Sequence, residues 1–175
     1  MANSPKRFLD DDLASNFPNL TRELYEVTSE ATPLADSQKV PPYNCIAFAA
    51  GDCTCWWEPD PYFVYFWPKD VRRDYDVESY IEAFESLAYR RCDNAAYEAG
   101  FEKVAIYYTR LGNPDNAPGS GSHAALQTRT GTWRSKLGQW EDIEHRNLEC
   151  LNGEDPSGET TPYGEPCQIL KRLRA

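Results

Sequence analysis

Tyr43–Gly51 reads YNCIAFAAG, and residues 122–128 read SHAALQT. The first stretch predicts a helix over 44–52. Asn44 is a good N-cap, so Cys45 falls in the first turn. Ile46, Phe48 and the alanines at 47, 49 and 50 make it apolar on several sides, as a buried helix must be. Gly51 supplies its end. The second stretch predicts a strand, with RTG (129–131) as a hairpin turn and TWRSKL (132–137) as the returning strand. A cysteine at a helix start and a histidine at a strand start are the parts that a thiol nucleophile needs.

Working outward, residues 102–109, EKVAIYYT, are rich in β-formers and predict another strand. Residues 110–121 are a Gly, Pro, Asn and Ser loop. Residues 77–89 predict the clearest amphipathic helix: Asp76 caps it, and Val77, Tyr80, Ile81, Phe84, Leu87 and Ala88 share one face. Residues 140–151, WEDIEHRNLECL, have helical spacing through Ile143, Leu148 and Leu151. Residues 152–162 are a polar loop, and CQILKRL (167–173) is an edge strand or a short helix. Residues 1–20 read as a peripheral arm in which Ser4 could cap a short helix, and 30–42 as a proline-broken loop. Helices first, then three or four antiparallel strands with one late helix, is an α+β order in one domain: 1–42 arm and loop, 43–175 core.

The 175 residues carry a net charge of −10, 41% apolar and 13% aromatic residues. That is enough apolar surface for a core and rules out full disorder. The acidic balance repels phosphate backbones and anionic bilayers, so neither nucleic acid nor membrane is an expected partner. The opening MANSPKRFLD lacks an apolar targeting core, and no run approaches the length of a membrane span. The expectation is a cytoplasmic protein whose six cysteines stay reduced, without disulfides.

Three of the five tryptophans lie in 53–70, CTCWWEPDPYFVYFWPKD, which prolines break. This segment reads as a loop folded over the core, with Trp57 and Trp67 buried. Alternatively it is the aromatic wall of a binding cleft.

Cys45 is ordinarily explained as a small buried hydrophobe. The helix start adds orphan N–H groups and the positive dipole end, which lower a thiol pKa and could hold an oxyanion. His123 has small neighbours that leave room beside its ring, and histidine suits proton transfer at neutral pH. His145, flanked by Glu141, Asp142 and Glu144, reads as part of a solvated charged helix face. Cys53-Thr-Cys55 is too tightly spaced for a zinc pair and no second pair follows. Phosphate-loop, G-x-S-x-G and H-E-x-x-H motifs are missing, so no cofactor or metal is expected.

An Asn-Cys helix start, a Gly/Ser loop, a strand opening S-H-A-A and a hairpin to a G-x-W strand resemble the papain-like cysteine hydrolase plan. The resemblance implies a central helix carrying Cys45 packed on a small antiparallel sheet, Cys45 as nucleophile and His123 as base. For the polar third member it offers Ser135, Gln139, Glu141 and Asp142, of which Asp142 is carried forward. For the oxyanion glutamine found in some branches the resemblance offers Gln38 as the one nearby candidate. The stretches YNCIAFAAG with Trp57, AGFEKVAIY, HAALQTRTGTWRSKLG and DIEH also resemble an uncharacterised bacterial family of domains of unknown function. The expected activity is cleavage of an amide, isopeptide or thioester bond, or acyl transfer, on a protein or small-molecule substrate. The alternative is a non-catalytic binding domain of the same fold that uses segment 56–67. Oligomeric state is open.

Overall fold

The computed structural model describes residues 17–28, 42–109, 120–138, 141–153 and 163–175. Its frame is one seven-stranded antiparallel sheet: β1 (Tyr25–Val27), β2 (Arg90–Cys92), β3 (Phe101–Thr109), β4 (Ser120–Gln127), β5 (Trp133–Lys136), β6 (Asp142–His145) and β7 (Glu165–Leu173). The spatial order is β1-β6-β5-β4-β3-β7-β2. Two α-helices accompany it among the described residues, α1 (Cys45–Ala50) and α2 (Val77–Glu85).

Side chains alternate across a strand, so each strand serves two faces. Val104 and Ile106 of β3, Ala124 of β4 and Leu170 of β7 pack with α1, α2, Trp57 and Trp67. Ala105, Tyr107, Ala125, Trp133 and Ile143 pack on the other side with Phe17, Leu20, Leu148, Leu151 and Tyr163. Because both faces are covered, Lys103–Tyr107 form an unbroken buried run.

This architecture corrects the papain-like α+β expectation. Seven strands make the body, and the helices have only six and nine residues. Among the described residues no central helix organises the fold; α1 is a short element laid on a sheet. Three local readings change with it. Residues 141–151 of the 140–151 stretch are not a helix: β6 pairs with β5 and β1, and a 3-10 turn at Glu149–Leu151 follows. In Asp142-Ile143-Glu144-His145 a period of two prevails over the wider spacing of Ile143, Leu148 and Leu151. β7 is not an edge strand, since β3 and β2 flank it. Pro166, which cannot donate to a ladder, falls where the β3–β7 register shifts. Phe17 and Leu20 are core residues and β1 caps one sheet edge, so 17–28 is not a peripheral arm. The Ser4 cap, most of the 30–42 loop, residues 110–119 and residues 154–162 lie outside the described residues.

The helix starts fall where the sequence places them. The Asn44 carboxamide oxygen accepts from the N–H of Ala47, and Gly51 ends α1 at φ 84°. Asp76 caps α2 through the Ser79 N–H. The Asn44 amide also donates to the Trp57 carbonyl at 2.7 Å, which pins the aromatic segment beside the start of α1. Trp57 and Trp67 are 5% and 4% exposed. The Trp57 indole donates to Asp52 and packs at a tilt against Phe66, while Trp67 packs edge-on to Tyr80 of α2. Truncating Trp57 removes a buried aromatic and one of the donors to the Asp52 carboxylate, which keeps Thr54 and Cys55. Trp57→Ala is expected to lose about 3–5 kcal/mol in urea unfolding. A midpoint equal to the parent's would refute that role.

Candidate functional site

Cys45 opens α1, and its sulfur reaches the plane of the sheet at β4. The sulfur lies 4.0 Å from the carbonyl oxygen of Ser122. The backbone N–H groups of Ala124, Ile46 and Cys45 itself all favour the thiolate at this position. Burial outweighs them and pushes the thiol up to about 11. At neutral pH the group is therefore a protonated thiol surrounded by N–H groups that would stabilise negative charge. Ser122 and Ala124 bracket His123, so the sulfur rests against the stretch of β4 backbone that bears the histidine.

The His123 side chain leaves β4 toward the other face. Tyr107 sits directly across the ladder, and its ring lies 5.2 Å from the imidazole. Tyr163 stacks on the imidazole at 4.0 Å, with 15° between the planes. The Ser122 hydroxyl donates to the Tyr163 carbonyl and holds that residue in place. Gly164 follows at φ 65°, and a Cβ there would stand 2.0 Å from the Tyr108 carbonyl, so only glycine fits the bend. His123 Nε2 lies 3.0 Å from Ser135 Oγ, and Ser135 Oγ lies 2.9 Å from His145 Nε2. His145 Nδ1 lies 2.8 Å from the Asn147 carbonyl oxygen and 3.4 Å from the Cys150 sulfur. Cys150 in turn donates to the same carbonyl at 3.0 Å. His123 Nδ1 is buried with no hydrogen-bond partner.

The structure thus brings Cys45 to the backbone of His123 and does not join thiol and imidazole by a hydrogen bond. Sulfur and ring belong to opposite faces of the sheet. Asp142 is not a companion of His123. It stands on the α1 face, accepts from the Tyr43 hydroxyl at 3.0 Å and pairs with Lys136 at 3.6 Å. Its neighbours in the strand, Ile143 and His145, point the other way. Ser135, among the candidates for a third member, is the residue that touches the imidazole. Gln38 and Gln139 lie outside the described residues. His145 does not lie on the solvated helix face that its acidic neighbours suggest: it is 1% exposed inside β6. The signal that could have found it is the alternation in D-I-E-H, two residues per repeat. Among the described residues, no group of three His, Cys, Asp or Glu side chains is placed to hold a metal ion.

Residues 34–171 match the family model described as Domain of unknown function (DUF7689). The chain belongs to that family. No curated protein and no solved structure matches it. The DUF7689 match spans α1, both histidines, Ser135 and the aromatic segment, so the whole site lies within the family's own domain. No helix is long and apolar enough to cross a membrane, among the described residues.

Both imidazoles are held neutral. Burial lowers His123 well below the ordinary histidine value, with His145 adding to the effect. Burial likewise lowers His145 to about 4, against the opposing pull of the Asn147 carbonyl and Glu144. In the unfolded chain both rings titrate near about 6.5. Below that pH the unfolded state binds more protons than the folded one. Stability is therefore complete above about 6.5 and drains as pH falls toward about 4, by up to ~1.4 kcal/mol per pH unit for each ring. Urea midpoints measured from pH 7 to pH 5 should fall in the parent and fall less steeply in His145→Asn. A parent midpoint constant over that range would contradict neutral burial.

Proposed function

We propose that the chain is a thiol hydrolase or acyltransferase acting on an amide, isopeptide or thioester bond, with Cys45 as nucleophile and His123 as proton acceptor. The observation that carries the reading is the unpartnered, fully buried Nδ1 of His123, next to the stretch of backbone on which the Cys45 sulfur rests. A buried acceptor left without a donor costs stability, and such groups persist where a site uses them.

Thiol and imidazole are both neutral at rest, so bond formation and proton transfer go together. As the sulfur attacks the carbonyl carbon, its proton passes to His123 Nδ1 and the C=O electron pair moves onto oxygen. The N–H groups around Cys45 stabilise the charge that develops. The tetrahedral adduct collapses, His123 gives the proton to the departing amine or thiol, and an acyl-thioester remains on Cys45. Water or an acceptor amine, deprotonated by the same nitrogen, then releases the acyl group. The transfer requires sulfur and Nδ1 to come into contact in the substrate complex, and catalytic hydrogen bonds are often long before substrate is bound. A reducing, bacterial cytoplasmic setting suits this chemistry, and all six cysteines are free thiols.

The test is acylation by p-nitrophenyl acetate, followed by intact mass and peptide mapping. The acetyl group should map to Cys45, vanish in Cys45→Ala and form on the order of a hundredfold more slowly in His123→Ala. Labelling of the exposed Cys53 ahead of Cys45 would overturn the reading.

A second reading, an interaction domain, is favoured by one observation. Tyr62, Phe63 and Val64 are 85%, 74% and 71% exposed on a loop that is firmly held. Asp60 accepts from the N–H groups of Tyr62, Val64 and Tyr65, and Arg73 joins Asp60 and covers the Phe63 ring at 4.4 Å. Ordered, exposed aromatic residues are what binding hot spots are made of. Phe63→Ser with Val64→Ser should leave the melting temperature and the acetylation of Cys45 unchanged. Under the interaction reading the same variant loses a bound protein that the parent retains.

A further inference from the structure

We propose that Ser135 and His145 form a one-way hydrogen-bond chain, anchored on the Asn147 carbonyl, that locks His123 in the tautomer whose Nδ1 is free to accept a proton. The functional consequence rests on the reading of Cys45 as nucleophile; the proton directions stand on geometry alone.

The direction is fixed at the anchored end. A carbonyl oxygen can only accept, so at 2.8 Å the His145 Nδ1 must carry the hydrogen. Cys150 donates to the same oxygen at 3.0 Å, which occupies its second lone pair and leaves Nδ1–H undisturbed. The carbonyl cannot swing away. The Asn147 side chain accepts from the Cys150 N–H at 2.9 Å and fixes the start of the 3-10 turn. A neutral ring has one N–H, and burial keeps His145 neutral. Its Nε2 is therefore bare and takes the hydroxyl hydrogen of Ser135. Ser135 has a single hydrogen, and it is now spent. Its oxygen must accept on the other side, so His123 Nε2 is the donor. His123 is neutral as well, which leaves Nδ1 as the bare lone pair. Each link is buried: His123 and Ser135 are 0% exposed and His145 is 1% exposed, so no water competes to reverse a bond. Tyr107 and Tyr163 hold the imidazole between them and prevent the ring flip that would exchange its nitrogens.

Ser135 and His145 are positioning residues here. Neither reaches the thiol; both set which nitrogen of His123 faces it chemically. The wrong tautomer would present an N–H to a thiol that needs a base.

The experiment is long-range ¹H–¹⁵N NMR of the full chain labelled with ¹⁵N-histidine at pH 7. The expected result is two neutral rings of opposite tautomer, His145 as Nδ1–H and His123 as Nε2–H. His123 found as Nδ1–H, as a mixture or charged would overturn the proposal. In Ser135→Ala the His123 resonances should become those of a tautomer mixture while His145 keeps Nδ1–H. Ser135→Thr should restore the single tautomer. Acetylation of Cys45 should slow on the order of tenfold to a hundredfold in Ser135→Ala and recover in Ser135→Thr. Ser135→Ala keeping a pure Nε2–H His123 would also overturn the chain. If the Ala variant fails to fold, the parent spectrum alone still decides. Parent tautomers as stated with no acylation of Cys45 would sink the hydrolase reading and leave the chain standing. Acylation with reversed tautomers would do the opposite.

Discussion

Two-sided burial of β3 and β4 is the constraint on which the rest of this protein depends. With α1, α2 and the tryptophans on one face and the Phe17, Leu148 and Tyr163 cluster on the other, no polar group in the middle of the sheet can reach water. Each must find a donor or acceptor inside. Lys103 sends its ammonium to the Asn94 and Ala96 carbonyls, and Lys136 turns toward Asp142. The His123–Ser135–His145 chain is the same necessity met by three polar side chains on three adjacent strands. Its one loose end is His123 Nδ1.

The electrostatics of the site follow from that burial. Ion-pair activation, in which a thiolate faces an imidazolium, is closed to this protein at rest. The thiol is pushed up and both imidazoles are pushed down by the same loss of solvent. Under the proposed hydrolase reading, what remains is a neutral pair in which charge appears only as the reaction proceeds. Fixed N–H groups of α1 and Ala124 are then worth more than they would be in water, because nothing has to reorganise to meet that charge.

The aromatic segment divides its labour along its length. Trp57 and Trp67 are anchors in the core, tied to Asp52 and to the Arg72 carbonyl through their indole N–H groups. The residues between them project outward on a frame built by Asp60 and Arg73. Because Asn44 links Trp57 to the cap of α1, the outward loop and the cysteine share one rigid support. Ligands held by the loop and chemistry at Cys45 would therefore be mechanically adjacent.

The sequence by itself determined whatever depends on neighbours in the chain. Asn44 and Gly51 delimit α1, Asp76 starts α2, the R-T-G turn joins β4 to β5, and a β-branched and aromatic run makes β3. Those signals are local hydrogen bonds and backbone preferences, and they need no distant partner. Only the tertiary structure decided the rest. D-I-E-H becomes a strand because β1 and β5 are there to pair with it, and CQILKRL becomes interior because β2 covers its far edge. Asp142 and His145, three residues apart, end on opposite faces once strand alternation replaces helical spacing, so the plausible carboxylate leaves the site and the histidine read as solvated enters it. The pairing of Ser135 with both imidazoles joins positions 123, 135 and 145 through strand register. Register is set by which faces can be buried together, a property of the assembled sheet that no single segment carries.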